Sequence, residues 1–465
     1  MRLHLFHAHL AAAALALLPA AARAADEADG TPTPPVKLVY REIPQEAQET
    51  PLDVNKATRA YLNLVSGPAR EKSDAYFEGG YWLQLWSFLL SLAVALLLLQ
   101  GRISTRMRVM AERITSMRWL QPAVYWVQYF VAVGVLTFPF DVYVGYFREH
   151  QYDLSNLTFG GWLGEQAKGM AIGLLLGAVG LTALYAVLRK VKQNWWIWAA
   201  GVALAFSVLT VVIGPVFLEP LFNQFRPVQD VQVREAVLRL ARANGIPATD
   251  VFEYDASKQS DRVSAHVSGF LGTTRISLND NLLKRCNLAQ IESVMAHEMG
   301  HYVLNHVLKT MIFFAVFFPL ALAFAQWAVA KLLASRGERW GVRGVDDPAG
   351  LPLVLTVLST FFLICTPVLN SFIRSQEMEA DQFALNSAYQ PDAEAQVDLA
   401  LGEYRKLDPG PLEEIIFYDH PSGRVRIETA MRWKAEHLQN LRCLQAPAQP
   451  PSPPAPSPAV DATVH

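Results

Sequence analysis

Residues 294–333 read VMAHEMGHYVLNHVLKTMIFFAVFFPLALAFAQWAVAKLL, and two patterns meet in them. The first half sets His297 and His301 around Glu298 at positions i and i+4. On a helix that spacing puts both imidazoles on one face, able to reach one ion. Glu298 sits beside them, close enough to touch a water on that ion but poorly aimed to ligate. The second half, 310–333, is an apolar run. It is long enough to cross the hydrocarbon of a bilayer as a helix, which takes about 20 residues. A metal-type motif running straight into a membrane-length helix predicts a membrane protein whose chemistry lies at the edge of the bilayer.

The rest of the chain agrees with that reading. It has 465 residues, 52% hydrophobic and only 18% charged, with formal net charge −2, whereas a soluble chain is typically about 25% charged. Disorder and nucleic-acid binding driven by positive charge are excluded. Five more apolar stretches, near 81–100, 122–144, 169–188, 195–218 and 350–372, match a span in length. Trp82, Trp86, Trp119, Trp195, Trp196 and Trp198 lie near their ends, as an interfacial aromatic belt would. The cysteines, Cys286, Cys365 and Cys443, form no Cys-x-x-Cys, so neither a disulfide framework nor a cysteine zinc ribbon is expected.

Residues 1–24 read as a signal peptide, with Arg2, a short apolar core and Ala22-Arg23-Ala24 as the cleavage site. Uncleaved, it would add a seventh span. Four spans then make a membrane domain, 25–218, and a second domain, 219–445, which carries the His297–His301 motif, contains the remaining two. The final stretch, 446–465, holds seven of the 28 prolines and reads as a disordered tail. Within 219–309, Val251–Tyr254 and Thr274–Leu278 read as short strands, and 231–244 and 288–308 as helices. Three loops, 101–118, 189–194 and 334–349, together hold eleven Lys/Arg, against two in loop 145–168. Alternating spans put the three on one side, and the positive-inside rule makes that side cytoplasmic. The polar blocks 219–309 and 373–465 then face outward. The expected location is a bacterial inner membrane, with the site on the periplasmic side.

Catalytic zinc takes three protein ligands and a water. The third ligand is sought on a helix expected over 370–389, after the last span, where Glu377 and Asp381 are again i and i+4. One can ligate while the other supports it from the same face. Glu379 lies off that face.

Taken together, these segments resemble the type I CAAX prenyl protease family, integral-membrane zinc endopeptidases. The second motif of that family is close to S-R-x-x-E-x-x-A-D, met here from Arg374 through Glu377 to Ala380-Asp381. Asp255-Ala256-Ser257-Lys258 is similar to its D-G-S-K, with Gly269 at its later G. Residues 215–222 are similar to its P-L-F segment, and His420-Pro421-Ser422 with Arg426 to its H-P-P…E-R.

The resemblance implies a helical polytopic fold, all-α apart from a small β element, with a gluzincin-like zinc domain. It implies one zinc per chain held by His297, His301 and Glu377, with Glu298 as base and Asp381 as its acidic partner. Arg374, His306 and Arg426 would support these groups from behind. His306 is expected on the same helix as His301, about 140° further round. His420 is a candidate for stabilising the oxyanion. The family's substrate-aligning edge strand, S-N-A-Y, reads Val263-Ser264-Ala265-His266 here, so Ser264, Ala265 and His266 are candidate substrate contacts and the substrate preference is open. Val425 replaces the acid before Arg426.

The implied reaction is peptide-bond hydrolysis, in membrane-protein processing or quality control. The partners are a peptide or protein substrate and the lipid bilayer, with no nucleic acid and the oligomeric state open. Two other readings were weighed: a site-two-type protease, which would carry the motif inside an apolar span, and a transporter or scaffold with an incidental motif.

Overall fold

The computed structural model describes residues 38–191, 194–268 and 274–445. The expected signal peptide, Lys192, Gly269 and the proline-rich tail lie outside these residues. A short helix α1, Val54–Asn63, is capped by Asp53, whose side chain accepts from the Lys56 amide at 3.1 Å. The first long helix, α2, covers Gly67–Gln100 and begins on Pro68, which suits a first turn because its amide has no partner there. After a short helix α3, Ile103–Ile114, come α4 (Gln121–Val142), α5 (Phe159–Lys190) and α6 (Trp195–Ile213). Helix α4 winds on through a π turn to Gln151.

The polar insertion then folds as β1 (Phe225–Pro227), α7 (Val231–Ala243), β2 (Val251–Tyr254), β3 (Ala265–Ser268), β4 (Arg275–Asn279), α8 (Asp280–Arg285) and α9 (Leu288–Val303). Helices α10 (His306–Trp340), α11 (Leu351–Ala388), α12 (Pro391–Ala400), α13 (Pro411–Phe417) and α14 (Gly423–Gln445) complete the chain. Six helical stretches, built on α2, α4, α5, α6, α10 and α11, are long and apolar enough to cross a membrane, matching the six expected spans. The fold is a helical polytopic one with a small mixed sheet.

That sheet runs β1-β2-β4-β3, parallel only between β2 and β4. Alternation along the strands gives it two faces. Ile276, Leu278, Val251 and Ala265 pack on α7 and α9 in one core. Tyr254, His266, Ser277 and Arg275 fall on the other face by register. The third strand, β3, is an edge.

Two expectations about helices need correction. The helix expected over 288–308 stops at Val303, and Asn305 takes a left-handed φ of 55° before α10 starts at His306. Asparagine tolerates that conformation better than most residues, and it ends one helix and starts another. His306 is therefore not on the helix of His301. The helix expected to start near Asn370 is instead the end of α11, which runs unbroken from Leu351 through Pro367. The sixth span and the acidic motif are one rod of 38 residues, about 57 Å long.

At one end of the bundle the three basic loops meet. Arg102 Nε donates to Arg339 O at 3.0 Å, Thr105 to Trp340 O at 2.8 Å, and Arg189 to Arg118 O. Arg108 is buried against Asp347, and Arg343 pairs with Glu112 at 2.7 Å, so two of the eleven cations are matched by acids. At the other end, residues 38–65 lie against α12 and α14. Ala47, Ala57, Tyr61 and Leu62 share a core with Leu399, Ile427 and Met431. Tyr61 Oη donates to Asp392 at 2.8 Å, where Lys434 also pairs at 2.6 Å.

Candidate active site

Helix α9 begins with a reciprocal cap. Asn287 accepts from the Gln290 amide and Gln290 returns a bond to the Asn287 amide, satisfying two amides that a helix start leaves open. Ile291, Met295 and Met299 fix its rotation by packing into the sheet core. His297 and His301 consequently face α11, and Glu298 lies within electrostatic reach of Glu377 and His266. The two helices touch at Gly300, where a Cβ would stand 3.2 Å from both the Ala380 backbone and Phe383. A side chain here would press α11 away by a few tenths of an ångström, and the close approach that glycine permits brings the α11 carboxylates into reach.

His297 Nε2 lies 3.4 Å from Glu377 Oε2, and His301 Nε2 lies 3.6 Å from Glu377 Oε1. One donor atom from each of these residues falls within 4.8 Å of the others. The remaining imidazole nitrogens are occupied. His297 Nδ1 lies 2.8 Å from Asp381 Oδ1. His301 Nδ1 meets His306 Nδ1 at 2.8 Å, and His306 Nε2 meets Glu379 at 3.1 Å. With each Nδ1–H donating outward, each Nε2 keeps its lone pair for the centre, the usual support behind histidine ligands. Two such nitrogens and one carboxylate fit a zinc-type donor set with room for a fourth ligand.

Burial pushes the Glu298 carboxyl up to about 7, and holds the His301 imidazole down at about 3 and thus neutral. His420 stands across the site, Nε2 3.2 Å from Glu377 Oε2, its ring turned by Asp419 at 2.7 Å from Nδ1. Arg426 holds Asp381 through both guanidinium nitrogens, with Nε at 2.9 Å from Oδ2. Arg374 does not touch His297, His301 or Glu377. Its Nη1 donates to the carbonyls of Glu414 and Tyr418, fixing the segment that leads to His420. His266 faces Glu219, with Nε2 3.5 Å from Oε2, and Glu219 is also held by Arg275. Ser264 and Ala265 lie on the same edge, the Ser264 amide donating to Asn279 Oδ1 at 3.1 Å.

Two groups escaped the sequence reading, as did the role of a third. Glu394 and Asp398 on α12 close around Arg426, at 3.7 and 3.0 Å. Their i, i+4 spacing in an alanine-rich helix was the available signal. Glu379 was seen, but its link to His301 through His306 depends on the break at Asn305.

Comparison with known proteins adds two family matches that adjoin along the chain. Residues 55–224 match the CAAX prenyl protease N-terminal family, described as five membrane helices, and residues 227–434 match peptidase family M48. An uncharacterized metalloprotease of Bacillus subtilis is 28% identical over 72% of this chain and 78% of its own. A CAAX prenyl protease 1 homolog of Arabidopsis thaliana is 27% identical over 80% and 90%. The crystal structure of S. mikatae Ste24p overlays with a TM-score of 0.66 at 22% identity, covering 83% of this chain and 93% of that one. That last likeness is one of fold.

Proposed function

The chain belongs to the M48 peptidases of the type I CAAX prenyl protease family, integral-membrane metalloproteases, and from that premise we propose how its site works and where it faces. His297, His301 and Glu377 hold one zinc ion per chain, in a protease domain spanning 219–445 behind a membrane domain spanning 25–218. The observation that carries this is the convergence of His297 Nε2, His301 Nε2 and the Glu377 carboxylate within 4.8 Å, each imidazole backed by a partner on its other nitrogen. The motif helix α9 is not one of the six span-length helices, which argues against an intramembrane site-two-type protease.

A zinc ion in such a set supplies Lewis-acid polarisation of the scissile carbonyl and lowers the pKa of water. Glu298 accepts a proton from the attacking water and returns it to the leaving amine nitrogen. A carboxyl raised to about 7 by burial is matched to that exchange near neutral pH. Asp381, fixed by Arg426, holds the His297 ring. His420 aims a ring nitrogen at the region where the oxyanion develops. Ser264, Ala265 and His266 offer a free strand edge along which an extended peptide adds its backbone. His266, 3.5 Å from Glu219, gives that edge an imidazole where the resembled family has tyrosine. The substrates are peptides or proteins reaching the membrane surface.

We place the site on the outer face of a bacterial inner membrane. The charge bias of the loops supports this, as does the packing of 38–65 on α12 and α14, because a segment following an export signal is delivered outside. The eukaryotic relatives, by resemblance, are expected to face the cytosol, so the assignment rests on this chain's own charges. Fusions at residue 445 test it: an enzyme active only after export should work there, and activity of a cytoplasm-only enzyme would invert the topology. Metal analysis of wild type, His297→Ala and Glu298→Gln tests the site. One zinc per chain is expected in the first and third and none in the second. Stoichiometric zinc in His297→Ala would refute the ligand set.

A further inference from the structure

Helix α13 is inside out with respect to water. Its acids face the protein: Glu413 accepts from Tyr81 Oη at 2.9 Å and from the Gly410 amide at 3.1 Å, and Glu414 Oε1 accepts from the Ser422 amide at 2.8 Å. Its apolar side chains face away: Leu412, Ile415 and Ile416 are 75%, 47% and 38% exposed. These positions are i, i+3 and i+4, so they form one stripe. A surface helix in water has the opposite arrangement.

The stripe adjoins the flanks of two spans. Phe417 stacks on Tyr81 of α2 at 3.8 Å, and Asn370 of α11 donates to Ile416 O at 2.7 Å. Around this contact Trp82 and Trp86 of α2 and Val368 and Ile373 of α11 are exposed as well. A crevice of about 320 Å³ between the three helices is lined by Tyr81, Trp82, Gln84, Leu85, Leu363 and Phe417. The apolar belt of the spans therefore continues onto α13, although α13 itself does not cross the bilayer.

We propose that α13 is an in-plane membrane anchor, seating Leu412, Ile415 and Ile416 among the acyl chains of the leaflet on the catalytic side, and that the bilayer thereby fixes the loop presenting His420. The mechanical link is short. Arg374 grips the carbonyls of Glu414 and Tyr418, Glu414 grips the Ser422 amide, and His420 lies between them. Tyr418 is itself pinned by its hydroxyl to Lys406 O at 2.8 Å and by Phe77 at 4.7 Å. A helix held by lipid on one side and by these bonds on the other has little freedom to shift the loop. Interfacial helices with an apolar stripe bind membranes in this orientation.

The test uses the full chain in phosphatidylcholine vesicles. A fluorophore on Leu412→Cys, in a Cys365→Ser/Cys443→Ser background, should be quenched by lipids spin-labelled at shallow acyl positions and protected from iodide. A fluorophore on Asp408→Cys should behave oppositely. Iodide quenching at position 412 equal to that at 408 would overturn the anchor, and so would a 412–412 cross-link between copies, which would make the stripe a dimer surface. The second arm is kinetic, and it rests on the role proposed above for His420. Leu412→Ser/Ile415→Ser/Ile416→Ser should lower kcat/KM in vesicles by up to about 10²-fold, the loss that a misplacement of about 1 Å can cause, and should lower it no further in a His420→Ala background. Equal losses in both backgrounds would break the link to His420 while leaving the labelling result intact.

Discussion

Replacing Arg426 by glutamine should unfold the protease domain more readily than neutralising Asp398 beside it. Arg426 is the cation among Asp381, Glu394 and Asp398, and all four side chains are nearly out of water. Three ionised carboxylates could not share that space with one guanidinium. Burial resolves this by raising the carboxyl of Glu394 and, well above its ordinary 3.8, that of Asp398. Asp381 pairs with Arg426 and is held toward its ionised form, while Asp398 beside them is held toward its neutral form.

Removing one partner of a buried pair costs about 3–5 kcal/mol, a large share of the ~5–15 kcal/mol that holds a domain together. Asp398→Asn substitutes a neutral group for one already near neutral, so the cost should be that of one altered hydrogen bond, about 1 kcal/mol. The sign of the pH dependence follows. A carboxyl raised in the fold contributes stability fully below 3.8 and loses it as pH climbs toward the folded value. Wild type should therefore lose stability from about pH 4 upward through this residue, and Asp398→Asn should flatten that slope. Thermal unfolding of nanodisc-embedded protein across pH 4–8, with zinc retention against a chelator as second readout, measures both effects. If Asp398→Asn destabilises as much as Arg426→Gln, or leaves the slope unchanged, the neutral assignment of Asp398 is wrong.

Glu298→Gln should keep its zinc and its melting temperature yet lose at least ~10²-fold in peptide hydrolysis, the low end for a general base; activity within a few-fold of wild type would remove Glu298 from that role. Glu377→Ala should abolish stoichiometric zinc by metal analysis. Glu379→Ala, acting only through His306, should weaken zinc by no more than the ~10–100-fold typical of a group behind a ligand, and the reverse order would exchange their roles. Gly300→Val should separate α9 from α11 and depress zinc content without touching a ligand, whereas a metal-replete Gly300→Val would show that the helices can part harmlessly.

The local parts of this site could be read from the sequence, because helical spacing is a short-range rule. His297, Glu298 and His301 share a face by counting alone, and so do Glu377 and Asp381. What brings the two pairs together could not be counted. Gly300 gives no periodic signal of its role, and Arg426 meets His297 across 129 residues. His306 was expected on the continuing helix of His301, pointing away. One left-handed residue at Asn305 turns it back so that its ring meets that of His301. Spans were legible for the same reason as the motif, since hydropathy accumulates locally. Their ends were less so: α11 carries helix well past its apolar run because Glu377, Asp381 and Ala384 are buried by the protease domain rather than by lipid. Helix α13 was missed altogether, being too short to give a period.

The packing of the first described segment on the last helices has a temporal side. Lys434 reaches back 387 residues to Ala47 O, and Tyr61 spans 331 residues to Asp392. During synthesis the core between them cannot close until α14 has left the ribosome. At about 5–20 residues per second, the 129 residues separating His297 from Arg426 take on the order of 10 s to appear. Through that interval the two histidines already stand on a membrane-bound nascent chain, but the ring of His297 lacks the Asp381–Arg426 brace. The order in which the polypeptide emerges thus delays the Asp381–Arg426 brace until nearly the whole chain is made.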